Sequence, residues 1–167
     1  MSASRDSDSF LIRDYVPEDF QRLWQIDQLC FPPGISYTQA DLRAFISLRD
    51  AFAIVAERVS PTPEAEHGII GFAIGQISKG RAGSRVGRIV TLDVVPESRR
   101  SGLGTRLMAA CEQRMGAAGC RQVYLETAVN NEPALRMYAR LGYEVVGRVP
   151  DYYESHSLDA YVLQKQL

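Results

Sequence analysis

The chain has 167 residues, 46% of them hydrophobic, with a formal net charge of −1. That length suits one domain whose core needs no metal or disulfide support. The near-zero charge supplies no global field for nucleic acid or an anionic membrane, so any polyanion must be held locally.

Residues 1–9 are polar and rich in Ser and Asp, lack the apolar core of a signal peptide, and read as a disordered leader to a single domain over 10–167. No apolar run approaches the ~20 residues that span a bilayer, so a membrane is not expected. Residues 10–15 predict a short strand. From Pro17 onward, Phe20, Leu23, Trp24, Ile26 and Leu29 recur at helical spacing. Phe31-Pro32-Pro33-Gly34 breaks that helix, and Thr38 is a candidate N-cap for a second one carrying Leu42, Phe45, Ile46 and Leu48.

Residues 51–58 and 68–77 are rich in Ile, Val, Phe and Ala, and Pro61-Thr62-Pro63-Glu64 joins them most simply as a hairpin. A strand over 86–95 stops at Pro96, which cannot donate to a sheet ladder. Leu103, Leu107, Met108, Cys111 and Met115 then form one stripe of an amphipathic helix over 102–115, ended by Gly116 and Gly119. A strand over 122–128, a short helix over 133–141 stopped by Gly142, and strands over 143–149 and 158–165 complete the chain. The order predicts an α/β fold with a mixed, largely antiparallel twisted sheet of about seven strands flanked by four helices.

Cys30, Cys111 and Cys120 are widely spaced, and only His67 and His156 could complete a metal site. The pattern predicts no metal, reduced thiols and a cytoplasmic protein. Cys30 and Cys111 sit among apolar residues, where a cysteine acts as a small buried hydrophobe.

The chemistry centres on Arg99-Arg100-Ser101-Gly102-Leu103-Gly104-Thr105, spaced R-x-x-G-x-G between a strand and a helix. A helix N-terminus carries N–H groups without intrahelical partners and a partial positive charge, and glycines let phosphate oxygens approach them. Arg99 and Arg100 add charge at the same place. The stretch reads as a pyrophosphate cradle, or more blandly as a glycine turn. It lacks the Gly-Lys-Ser/Thr ending of a P-loop and the G-x-G-x-x-G of a dinucleotide site.

Leu92-Asp93-Val94-Val95-Pro96 leading into Arg99–Gly104 resembles the acetyl-CoA signature of the GNAT acetyltransferases. Leu125-Glu126, then Asn131-Glu132-Pro133-Ala134-Leu135-Arg136-Met137-Tyr138 and Leu141-Gly142-Tyr143, are similar to that family's following strand, asparagine, tyrosine helix and Gly-aromatic turn. Cys30-Phe31-Pro32, Asp151-Tyr152-Tyr153 and Leu158-Asp159-Ala160 resemble its bacterial enzymes that acetylate the N-terminal alanine of a ribosomal protein. The stretch between Tyr153 and Asp159 is shorter than that likeness leads one to expect, and Pro133 stands where the family has a small residue.

The resemblance implies direct transfer of an acetyl group from acetyl-CoA to an amine, with the pantetheine arm along Leu92, Asp93 and Val94 and the pyrophosphate on Arg99–Thr105. It implies Glu126 as the base and Tyr138 as the acid beside the sulfur. Asn131 either hydrogen-bonds the pantetheine or the acceptor backbone, or simply caps its helix. Phe31, Tyr37, Tyr152 and Tyr153 are candidates for an acceptor groove, since tyrosine pairs an apolar face with a polar tip. The expected acceptor is a protein or peptide N-terminus, and the protein itself is expected to be a monomer or dimer. A small amine, or a non-catalytic acyl-CoA-binding domain, stays open as an alternative.

Overall fold

A computed structural model describes residues 9–59 and 68–167. Met1 to Asp8 of the expected leader, the Pro61–Glu64 turn and His67 lie outside the described residues. In chain order the elements are β1 (Phe10–Asp14), α1 (Phe20–Cys30), α2 (Gln39–Ile46), β2 (Ala51–Arg58), β3 (Ile69–Lys79), β4 (Arg85–Val94), α3 (Leu103–Ala117), β5 (Cys120–Ala128), α4 (Glu132–Arg140), β6 (Glu144–Tyr153) and β7 (Leu158–Gln166). The strands form one sheet in the order β1-β2-β3-β4-β5-β7-β6, antiparallel except for β4 with β5. This is the expected mixed architecture.

The single parallel pair creates the site. Pairing of β4 with β5 ends at Ile89 opposite Leu125. β4 still follows β3 to Val94, and β5 follows β7 to Ala128, so the two strands part company beyond that rung. Val90 is the extra residue of a β-bulge there, because Ile74 pairs with Thr91 and Gly75 with Ile89. A bulge bends its strand and increases twist, which suits a strand leaving its neighbour.

α3 packs across β2, β3, β4 and β5 through Leu103, Leu107, Met108, Cys111 and Met115, each at most 1% exposed. Burying each such leucine or methionine contributes about 1.5–3 kcal/mol. α1 lies on β3 and β4 through Phe20, Leu23 and Ile26. Two expected core positions depart from this pattern. Leu29 sits one residue off the buried stripe of α1 and is 58% exposed, while Leu48 lies past the end of α2 and is 36% exposed. The stripe takes in Asp27 instead, at 0% exposure. A 3-10 turn at Pro17–Asp19 precedes α1, where the sequence suggested continuous helix from Pro17. β6 runs on past Val149 through Pro150 to Tyr153, with a register shift against β7 and a left-handed Asp151 (φ 48°). The edge position lets Pro150 join a strand without losing a ladder bond.

Candidate active site

Alternation in an antiparallel ladder fixes which backbone groups of β4 face the opening. Val95 N–H donates to the Ile70 carbonyl at 3.0 Å, so Ile70 and Val95 form a hydrogen-bonded pair. Leu92 and Val94 therefore turn their N–H and C=O groups away from β3, on the side where β5 has departed. The Leu92 backbone and the Val94 N–H offer the edge that an extended pantetheine-like chain could join, while the Val94 carbonyl already accepts from Arg99 and Cys30.

Beyond Val94 the chain makes a 3-10 turn at Pro96–Ser98 and reaches α3 through Arg100 (φ 64°) and Gly102 (φ 83°), both left-handed. Ser101 Oγ donates to the Ser98 carbonyl at 2.6 Å and tightens this turn. Gly102 is the N-cap of α3 and has no side chain to cap it, so the first N–H groups of the helix, at Leu103, Gly104 and Thr105, stay available to an anion. A Cβ on Gly102 would meet nothing within 4 Å, whereas one on Gly104 would lie 3.2 Å from the Met137 sulfur of α4. Arg99 is bound to its own strand, its Nε donating to the Val94 carbonyl at 3.0 Å. Arg100 is exposed. Asn131 caps α4, its side chain accepting from Ala134 N–H at 3.4 Å.

Tyr138 of α4 is 7% exposed and packs edge-on against Tyr143 at 5.8 Å between ring centroids. Burial pushes its phenol well up, and nearby Asp93 and Tyr153 push it further. Glu126, on β5 one residue past the last rung with β4, lies 3.3 Å from Arg88 Nε of β4. Both side chains are mostly buried.

The tyrosines gather around this pair. Tyr152 and Tyr153 stack edge-on at 4.9 Å, and Tyr152 feels the charges of Glu126 and Arg88. Burial pushes the Tyr153 phenol up to about 12, with Tyr152 and Glu126 adding to it. Tyr37 is raised by burial and then by Tyr152, Asp93, Asp27 and Tyr153. Ser155 Oγ donates to the Gly34 carbonyl at 3.2 Å, joining the loop after α1 to the turn after β6. Phe31 is the half-buried C-cap of α1 on that same loop. Glu126, Tyr138, Tyr37, Tyr152 and Tyr153 thus converge at the splayed end of β4 and β5.

Three participants escape a reading of the sequence alone. Arg88 reads as one more strand arginine until β5 places Glu126 beside it. Cys30, taken as a small hydrophobe, is half-buried and its thiol donates to the Val94 carbonyl at 3.3 Å; burial pushes that thiol up to about 11. Asp27 interrupts an apolar stripe, and that interruption was the signal available. Two hollows of about 340 and 360 Å³, lined by residues such as Ile12, Ile54 and Ala110 or Phe52, Ile77 and Lys79, share no residue with the cleft. Among the described residues no group of three or more His, Cys, Asp or Glu side chains could hold a metal ion, and no helix is long and apolar enough to cross a membrane.

Comparison with known proteins places this geometry. The family model "Acetyltransferase (GNAT) family" matches residues 20–143. The chain is 24% identical to an N-alpha-acetyltransferase of Saccharolobus solfataricus, across 95% of this chain and 93% of that one. It spans 48% and 20% of the length of two other curated relatives that match over shorter stretches. Arabidopsis thaliana NAA60 in complex with a bisubstrate analogue superposes with a TM-score of 0.80 at 25% identity, over 95% of this chain and 98% of that one. The ribosomal-protein-S18-alanine N-acetyltransferase of Escherichia coli shares the fold, with a TM-score of 0.77 at 17% identity over 95% and 94% of the two chains. The likeness read from Leu92–Gly104 therefore holds at the level of the family, while the ribosomal-alanine subgroup is not singled out among N-alpha-acetyltransferases. The chain belongs to the acetyltransferase (GNAT) family.

Proposed function

We propose that this chain transfers the acetyl group of acetyl-CoA to the N-terminal α-amine of a protein or peptide. The observation that carries this reading is that Glu126 stands where β4 and β5 part, while Tyr37 and Tyr138 feel the charge of Asp93, next to Val94 on the strand that leads to the N-terminus of α3. Acetyl-CoA supplies the activated acyl group. Leu103, Gly104 and Thr105 N–H groups would hold its pyrophosphate, and the Leu92 and Val94 backbone its pantetheine.

Attack needs a neutral amine. An α-amine has a reference pKa of about 8 and a lysine about 10.4, so the lysine costs about 3 kcal/mol more to deprotonate at neutral pH. A single carboxylate such as Glu126, acting directly or through one water, suffices for an α-amine. Val94 N–H then meets the oxyanion, a contribution of about 3 kcal/mol where comparable donors have been removed. Tyr138 returns a proton to the departing thiolate. Because burial raises its phenol, that transfer runs together with C–S cleavage rather than ahead of it.

Tyr37, Tyr152 and Tyr153 would form the walls for the first acceptor residues. The name of the Saccharolobus relative and the bisubstrate analogue bound to NAA60 support a peptide acceptor. Thiol release from acetyl-CoA tests the reading: peptides with a free N-terminus should release thiol, and the same peptides blocked at the N-terminus but carrying lysine should not. Equal release from both, or release only with small free amines, would contradict it.

A further inference from the structure

Asp27 of α1 and Asp93 of β4 are 0% and 1% exposed, yet among the described residues neither has a cationic partner at salt-bridge distance. Their hydrogen bonds run to different partners. Asp27 Oδ2 accepts from the Tyr37 backbone N–H at 2.7 Å and from Gln28 Nε2 at 3.1 Å. Asp93 Oδ1 accepts from Thr91 Oγ1 at 2.7 Å. The remaining oxygens, Oδ1 of Asp27 and Oδ2 of Asp93, are buried and accept from no donor among the described residues, and the two carboxyls face each other where α1 packs on β4, one turn from the 3.3 Å contact of Cys30 Sγ with the Val94 carbonyl. Two facing carboxylates are costly to keep ionised together in an apolar interior, whereas one proton between them satisfies both orphaned oxygens.

We infer that Asp27 and Asp93 share one proton in a buried O–H···O bond, and that this bond is a positioning device joining the acceptor loop at Tyr37 to the cofactor strand β4. The inference rests on the proposed function only for the words acceptor and cofactor. A continuous chain of hydrogen bonds runs from Tyr37 through Asp27 and Asp93 to Thr91. Tyr37 is held at its other end too, its carbonyl accepting from Gln28 Nε2 at 2.9 Å and Trp24 Nε1 at 3.2 Å. A second latch lies one turn along α1, where Cys30 meets the Val94 carbonyl.

The titratable and charged groups facing the pair are Cys30 on α1, Arg99 after β4, Tyr37 on the acceptor loop and Tyr138 on α4. Of these only Arg99 favours the ionised form of Asp93, and its guanidinium is bonded to Val94. Burial and the mutual repulsion of the two carboxylates act the other way and hold Asp93 well above the usual carboxylate range.

Asp27→Asn is the discriminating variant. Its amide oxygen can accept from Tyr37 and Gln28 while its N–H₂ donates to Asp93, reproducing the monoanionic pair without a titratable proton. The experiment combines carboxyl carbon-13 NMR titration of labelled aspartates with hydrogen exchange at the Tyr37 amide, both on the full chain. In the wild type, an Asp carboxyl signal should titrate well above the ordinary range, and Tyr37 protection, corrected for intrinsic exchange, should fall across that same pH interval. In Asp27→Asn, Tyr37 protection should stay within about threefold of wild type and lose that pH dependence. Asp27→Ala should lose roughly tenfold or more of it, the consequence of leaving a buried donor unpaired. If Asp27→Ala fails to fold, Asp27→Asn decides alone.

Ordinary titration of both carboxyls, or identical pH profiles for Tyr37 in wild type and Asp27→Asn, overturns the inference. These readouts use no acceptor. An absence of peptide acetylation would count against the proposed function and leave the shared proton standing or falling on its own data.

Discussion

Arg88 and Glu126 meet at 3.3 Å across the point where β4 and β5 separate, so the residue proposed as the base is held by the strand that carries the oxyanion donor. Removing the carboxylate charge should expose its role. Glu126→Gln is expected to lower kcat/KM for a peptide acceptor by roughly 10²–10⁴-fold near neutral pH, the usual scale of general-base catalysis. The deficit should shrink as pH rises through about 8, where an α-amine loses its proton unaided. A pH–rate profile with a constant deficit would assign Glu126 to binding instead.

Tyr138→Phe removes one hydroxyl and keeps the ring that packs on Tyr143. Turnover should drop by roughly 10²-fold while the KM for acetyl-CoA changes by less than about threefold. Steady-state kinetics with varied acetyl-CoA separate the two quantities. Unchanged turnover would reduce Tyr138 to a packing residue.

Gly102 opens the cradle at φ 83°, a conformation that costs an L-residue about 1–2 kcal/mol. Gly102→Ala meets no steric obstacle, so its effect is strain alone. Thermal unfolding should show a Tm lower by about 2–4 °C for each kcal/mol lost. Calorimetry should show several-fold weaker acetyl-CoA binding, because relaxing that strain would re-aim the Leu103 and Gly104 N–H groups.

The buried carboxyls also set a pH dependence of stability. Burial, and then the facing Asp27, raise Asp93 in the folded chain, so the folded state keeps a proton that the unfolded chain has released above about pH 4. The associated stability is complete below that pH and is lost as pH rises through the folded value, at up to about 1.4 kcal/mol per pH unit for one proton. Urea midpoints measured from pH 4 upward should fall more steeply for wild type than for Asp27→Asn. Parallel curves would mean that the pair releases its proton in the ordinary carboxylate range.

The fold was legible because its signals are local and periodic: the Leu103–Met115 stripe, the apolar runs of β2 and β3, and the prolines and glycines that stop them. The cradle was legible because Gly102 and Gly104 flank the first residue of a helix, a relation set within a few residues. Glu126 and Tyr138 could be named only through a family likeness, since their convergence depends on sheet order. Arg88 and Asp27 remained unread for the same reason. An arginine on a half-buried strand and an acid on an apolar helix face acquire meaning only when another strand or helix supplies the partner. β6 runs longer than its sequence predicts, because Pro150 signals an end in any strand but one at an edge.

The most direct measurement of the central claim is incubation of the protein with acetyl-CoA and a peptide library varied at its first two residues, with acetyl groups located by tandem mass spectrometry. Acetylation should be confined to N-terminal α-amines, selective for particular first residues and strongly reduced in Glu126→Gln. Acetyl groups found only on lysine side chains, or acetylation of N-termini that Glu126→Gln leaves intact, would contradict it.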